Sequence, residues 1–209
     1  MSNFDTGRVQ RLGVMGGTFD PIHLGHLIIA SEALHFLELD RIVFMPTGQP
    51  WQKQAHSSPE DRYLMTVIGI SGNPRFVVSR MELDRVGPTY SADTMRQLRD
   101  FHGPDTSMFF IAGADAVLKL GTWERIESLG ELAEVVAVTR PGFVLEGLEP
   151  KPEWPKIVEL PVPGIDISST DVRARVSQGR PIDYMVPAGV VSYIREHGLY
   201  ATAKGDAVA

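Results

Sequence analysis

The chain has 209 residues, an apolar share of 43%, a net charge of −6 and no cysteine. That is enough chain for one domain with a real core, while the negative charge argues against broad affinity for nucleic acid, and no disulfide or thiolate metal site can form. No apolar run approaches the roughly 20 residues of a membrane span, and residues 1–8 lack the apolar centre of a signal peptide, so a cytoplasmic chain without membrane partners is expected.

Residues 1–8 are expected to form a loose arm, and 201–209 to fray. A first strand is expected at about 9–15, then a helix at about 23–38 along an apolar-periodic run of Leu24, Leu27, Ile28, Ala30, Ser31 and Leu34, with Leu37 a turn later. Ile42 to Met45 reads as a second buried strand, followed by a polar loop over 46–54 that carries Lys53 and is expected to close on a ligand. Ser58, Pro59 and Asp61 open a helix carrying Tyr63, Leu64, Val67 and Ile68, which stops at Gly72-Asn73-Pro74. Strand three is Phe76 to Val78, and a helix follows over Ser91 to Phe101 with Met95 and Leu98 inward. Met108 to Ala112 is strand four. Helical stretches over Ala116 to Leu120 and Trp123 to Leu132 lead to strand five, Val135 to Val138. Residues 141–156 read as an irregular excursion, and Ile157 to Leu160 as strand six. Ser168 or Ser169 caps a helix through Ser177, and Val190 to Glu196 is the last helix, so 168–200 forms a helical end of the same domain.

Near-continuous apolar strands alternating with helices mean an α/β fold, a doubly wound parallel sheet covered on both faces. In such sheets ligands bind beyond the carboxyl ends of the strands. Polar residues follow the strands at Gly16 to Thr18, 47–53, Gly113 to Asp115, Thr139-Arg140 and near Ser168, so five strand ends should converge on one crevice.

The richest stretch is Leu12 to Leu27, LGVMGGTFDPIHLGHL. Gly16-Gly17 lets the backbone approach a ligand closely or take unusual dihedrals, Asp20-Pro21 marks a turn, and the following helix start suits a phosphate. His23 and His26 lie three apart and would share one face, and the Thr18 hydroxyl sits where a phosphate would rest. The spacing fits neither the dinucleotide fingerprint nor the Walker loop. A zinc reading of the histidines lacks a third ligand nearby. A second run, Ile167-Ser168-Ser169-Thr170-Asp171-Val172-Arg173, reads alone as a capped helix start, yet its hydroxyls and N–H groups suit a triphosphate, with Arg173 one turn in as a forked cation.

Gly17 to His26 resembles the GTFDPxHxGH signature of the nucleotidyltransferase family with the H-x-G-H motif, and Ile167 to Arg173 its second signature. Further segments resemble the bacterial nicotinate-nucleotide adenylyltransferases of actinobacterial type: Arg75-Phe76, Ser79 to Glu82, Gly87 to Thr94, Gly113-Ala114-Asp115 with Trp123, Arg140-Pro141-Gly142 and the closing helix to Tyr200. Ser91 departs from the usual threonine but keeps the hydroxyl, and the 46–53 loop departs more.

The resemblance implies transfer of the adenylyl group of ATP to nicotinate mononucleotide, with Mg²⁺ carried on ATP and no dedicated protein metal site. ATP would be held by Gly16, Gly17, Thr18, Phe19, His23, His26, Gly113, Asp115, Ile167, Ser168, Ser169, Thr170 and Arg173. Nicotinate mononucleotide would meet Gly16, Thr18, Lys53, Thr89, Tyr90, Trp123 and Arg140, and His23, His26, Lys53 and Arg173 would act on the transferring phosphate. Read by themselves, Trp123 is either a core aromatic or a stacking face, Thr89-Tyr90 a helix lead-in or a carboxylate-binding turn, and Asp115 a helix cap or a ribose contact. Nicotinamide mononucleotide or phosphopantetheine is the alternative acceptor, and a nucleotide-binding regulator without turnover the distant alternative. Self-association is left open.

Overall fold

In the computed structural model the described residues are 9–48, 55–139 and 148–202. Six strands form one parallel sheet: β1 Arg11–Gly17, β2 Arg41–Pro46, β3 Phe76–Val78, β4 Ser107–Gly113, β5 Glu134–Thr139 and β6 Ile157–Pro161. Their order across the sheet is β3-β2-β1-β4-β5-β6. The chain works outward from β1 in one direction, then returns to the other side of it at β4. The crevice is thereby placed where the order reverses, between the ends of β1 and β4. Register agrees, with Met15 opposite both Phe44 and Ile111.

Alternation along each strand builds two cores. Met15, Ile42, Phe44, Phe109 and Ile111 face one side and are covered by α1 (Leu24–Phe36), α2 (Pro59–Ile70), α6 (Ser169–Ser177) and α7 (Ala188–Glu196). Leu12, Val14, Val43, Met45 and Met108 face the other side, under α3 (Ser91–His102), α4 (Ala114–Val117), a 3₁₀ turn at Leu120–Thr122 and α5 (Ile126–Gly130). The expected parallel, double-covered sheet is what the chain forms, with most strand ends shifted by one or two residues.

Several local expectations need correction. Helix one buries Ala30, Ala33 and Leu34, whereas Ser31 is exposed. Helix two turns a different face inward: Arg62, Met65, Thr66, Gly69 and Ile70 are buried, and Tyr63, Leu64, Val67 and Ile68 only half-buried. Gly69 is what lets this helix approach, since a Cβ there would lie 2.8 Å from the Ile22 side chain. The long helix expected over Trp123 to Leu132 is only Ile126–Gly130, because Arg125 takes a left-handed φ of 60° and breaks the run. Ser168, not Ser169, caps α6, its Oγ accepting from the Asp171 N–H at 3.1 Å. Residues 148–156 hold no helix or strand, in line with the expected excursion, while 1–8, 140–147 and 203–209 lie outside the described residues.

Candidate active site

The glycines at the end of β1 belong to the strand, not to the turn, and neither takes a positive φ. They are glycines for space: a Cβ on Gly17 would sit 2.9 Å from the Phe19 ring, and one on Gly16 would sit 3.2 Å from Phe110. The left-handed residue of the turn is Phe19, φ 50°. Its side chain is buried and packs edge-on against His26 at 5.1 Å, so only its backbone is left to meet a ligand.

His23 is the N-cap residue of α1, and its backbone N–H donates to His26 Nδ1 at 3.1 Å. A neutral His26 therefore carries its proton on Nε2, a donor turned away from the helix cap. The two rings stack with centroids 3.6 Å apart. Gly25 between them leaves room for this, because a Cβ there would lie 3.0 Å from His23 Nδ1 and 3.8 Å from the Ile167 carbonyl oxygen. The expectation of open helix N–H groups is met only in part: the Leu24 N–H donates to Met185 O and the His26 N–H to His23 O.

The second motif docks against the first. Ser169 Oγ donates to Pro21 O at 2.8 Å, and Arg173 Nη1 to Asp20 O at 2.7 Å, with Thr170 Oγ1 3.3 Å from Nη2. Ile167, Ser168, Ser169, Thr170 and Arg173 thus gather beside His23 and His26 although about 145 residues separate the two stretches along the chain.

Behind this turn lie two buried charges that sequence reasoning missed. Arg62, 1% exposed, donates through Nη1 to Thr18 O (3.0 Å) and Thr47 O (2.7 Å), and through Nη2 to Gly48 O (3.2 Å). Asp20, 2% exposed, accepts from the His56 N–H (2.6 Å), Ser57 Oγ (2.5 Å) and Tyr200 OH (2.6 Å). Burial pushes the Asp20 carboxyl up, but the Ser57, Tyr200 and His56 hydrogen bonds and the Arg173 charge outweigh it and hold the group below the usual aspartate range. Burial pulls the Arg62 guanidinium down, against the nearby Asp20 charge, yet an arginine stays a cation at neutral pH. Asp20 stood in the first motif as a turn residue. Arg62 gave no signal of its own in the sequence, because its place is set by the three carbonyls that converge on it.

Next to the turn, over β1 and β4, opens a cavity of about 270 Å³. Among its walls are Gly16, Gly17, Thr18, Thr89, Tyr90, Gly113 and Trp123 from the expected set and Thr47 from the loop expected to border the crevice, joined by Glu82 and Phe110, which were not expected. Trp123 sits in extended backbone after the 3₁₀ turn and meets Phe110 edge-on at 5.6 Å. Arg125 lies over the Tyr90 ring at 5.1 Å and pairs with Asp93. Glu82 is buried in the wall, accepting from Thr94 Oγ1 at 2.7 Å, and burial pushes its carboxyl above the usual glutamate range against that bond and the Arg85 charge. Asp115 is exposed in the first turn of α4, makes no capping hydrogen bond and is not part of the wall. Lys53 and Arg140 lie outside the described residues, as does the 49–54 part of the loop expected to close. Among the described residues no group of three or more His, Asp or Glu side chains is placed to hold a metal ion, and no helix is long and apolar enough to cross a membrane.

The chain matches the cytidylyltransferase-like family model over residues 14–175. It is 54% identical over 190 residues to a "probable nicotinate-nucleotide adenylyltransferase" of Clavibacter michiganensis, covering 91% of this chain and 94% of that one. To proteins of the same name it is 55% identical in Arthrobacter, with 90% of each chain covered, and 50% identical in Acidothermus cellulolyticus, with 96% and 99% covered. In fold it is similar to a Plasmodium falciparum nicotinic acid mononucleotide adenylyltransferase complexed with NaAD, with a TM-score of 0.71, 19% identity and 91% and 97% coverage. With the docked motifs and the crevice they frame, these similarities make the chain a member of the cytidylyltransferase-like nucleotidyltransferases, in the branch of the bacterial nicotinate-nucleotide adenylyltransferases.

Proposed function

We propose that the chain transfers the adenylyl group of ATP to nicotinate mononucleotide, forming deamido-NAD and pyrophosphate in NAD biosynthesis. The observation that carries this reading is the stacked His23–His26 pair, docked against the Arg173 helix and set beside an aromatic-walled cavity. A phosphate oxygen of the mononucleotide attacks the α-phosphorus of ATP. The new P–O bond forms as the bond to the β-phosphate bridging oxygen breaks, and pyrophosphate leaves with the electron pair. The attacking phosphate is mostly ionised at pH 7, its second pKa being about 6, so no protein base is needed.

The protein's task is then positioning and charge neutralisation. His26 Nε2–H, the His23 ring and Arg173 face the triphosphate. Thr18 and the backbone at Gly16, Gly17 and Phe19 follow its course, and Ile167 to Thr170 close round it from α6. Lys53 adds a second cation and Arg140 meets the mononucleotide. Gly113 borders the adenosine, and Asp115 reaches its ribose from the exposed first turn of α4. The pyridinium ring stacks on Trp123, and Thr89-Tyr90 receives its carboxylate. Mg²⁺ arrives on ATP as part of the substrate. The reaction belongs in the cytoplasm, where ATP and mononucleotide are both available.

The test is pyrophosphate release from ATP and Mg²⁺ with nicotinate mononucleotide and nicotinamide mononucleotide in parallel. A strong preference for the nicotinate form supports both chemistry and pocket. Equal rates keep adenylyl transfer and remove the carboxylate role of Thr89-Tyr90. No release with either acceptor overturns the reading.

A further inference from the structure

The site as proposed uses side chains that face the crevice, and leaves unexplained a guanidinium buried behind it. The stripe of α2 that faces inward is otherwise uncharged, with Met65, Thr66, Gly69 and Ile70. Removing a guanidinium from water is costly, and an apolar residue at 62 would serve packing better. What Arg62 does is specific. It draws three carbonyl oxygens, those of Thr18, Thr47 and Gly48, toward the interior. In trans peptides the N–H points opposite to the C=O, so the Phe19 and Gly48 N–H groups are sent the other way. A carbonyl oxygen facing a polyphosphate repels it, and an N–H attracts it.

The same turn is tied on its other flank. Asp20 holds the His56 N–H and Ser57 Oγ, and the Thr47 N–H donates to Gly17 O at 2.9 Å. The described chain on both sides of residues 49–54 is therefore fastened to residues 17–20. Gly48 completes the fit by backbone contact: a Cβ there would lie 2.2 Å from the Glu82 carbonyl oxygen.

We propose that Arg62 is a positioning residue for polyphosphate binding and adenylyl transfer, holding the Thr18, Thr47 and Gly48 carbonyls away from the anion while Asp20 anchors the opposite flank. The turnover part of this rests on the function proposed above. Lysine cannot replace it fully, since one ammonium does not span three carbonyls as a planar fork does.

The experiment compares Arg62→Met, Arg62→Lys and a packing control on the same buried stripe, Met65→Ala. Each is measured for melting temperature, for kcat and both KM values by pyrophosphate release, and for affinity toward inorganic pyrophosphate by calorimetry, which needs no turnover. Arg62→Met should lose roughly 10²-fold in kcat per folded molecule and on the order of tenfold in pyrophosphate affinity, with Arg62→Lys between it and wild type. Met65→Ala should lose melting temperature yet keep both values within about twofold. Should Arg62→Met not fold, Arg62→Lys is judged against the same control. Turnover and affinity that track Met65→Ala in the Arg62 variants overturn the assignment. If the wild-type chain releases no pyrophosphate, the adenylyltransferase reading fails, and the pyrophosphate titration alone decides the role of Arg62.

Discussion

The turn proposed to hold phosphate and the cavity proposed to hold the pyridine ring share the end of β1, yet they are held in place by different means. In the turn nearly every rigid element is a hydrogen bond: His23 to His26, Ser169 to Pro21, Arg173 to Asp20, Arg62 to three carbonyls. In the cavity the aromatic part of the wall is set by ring contacts, Phe110 against Trp123 and the Arg125 guanidinium over Tyr90, with the Glu82–Thr94 bond and the Arg125–Asp93 pair as its polar ties. The contrast is in keeping with the ligands proposed for each. Charge developing on a phosphorus is stabilised by dipoles that need not reorganise, and such dipoles must be pinned. A flat ring is selected by faces and volume, which ring packing supplies.

If the two halves differ in this way, perturbing them should give different kinetic signatures. The largest effect should come from His26→Ala, which removes the Nε2 donor and leaves the His23 N–H without its side-chain acceptor. Turnover should fall on the order of 10²–10³-fold while circular dichroism stays that of the folded protein. Wild-type turnover in that variant would remove His26 from the chemistry. Trp123→Ala strikes the other half and should raise KM for nicotinate mononucleotide roughly tenfold, about 1.4 kcal/mol, with kcat within about twofold. A drop in kcat with unchanged KM would mean that the cavity wall, too, acts on the transition state.

How much of this was legible in the chain depends on the range over which each feature is determined. The parallel sheet and the two motifs were readable, because apolar runs and a ten-residue signature are local. The inward face of α2 was not. Arg62 belongs there only because carbonyls 44, 15 and 14 residues away converge on it, and no periodicity announces that. Trp123 was placed in a helix because composition allowed one, and the left-handed Arg125 that stops it is stabilised by Asp93 in the first turn of α3 and by Tyr90 just before that helix. Asp115, matched by its motif, stands outside the cavity wall, since a short helix can carry a matched residue on either side.

Acid titration separates the halves by sign. Asp20 has a lowered pKa, so its contribution to stability is present above the unfolded value of 3.8 and lost as pH falls through the folded one. Urea unfolding of wild type should steepen in pH dependence below about pH 4, and Asp20→Asn should flatten it while costing stability at neutral pH. An unchanged slope would show that other carboxylates govern acid unfolding. Glu82, raised mainly by burial, runs opposite: its contribution is whole below the unfolded value of 4.5 and is lost as pH rises through the folded pKa. Glu82→Gln should therefore be more stable than wild type at neutral pH and no different from it below pH 4. A loss at neutral pH would mean that the ionised carboxylate is what Thr94 and Arg85 require.

The Asp20–Tyr200 bond joins positions 180 residues apart. A ribosome builds the two histidines early and Tyr200 only near the close of its work on this stretch. Until that tyrosine emerges, Asp20 has only the His56 N–H and Ser57 hydroxyl of its three donors. A nascent or prematurely terminated chain can thus hold both signatures and still lack the tie from its far end to the turn of the first.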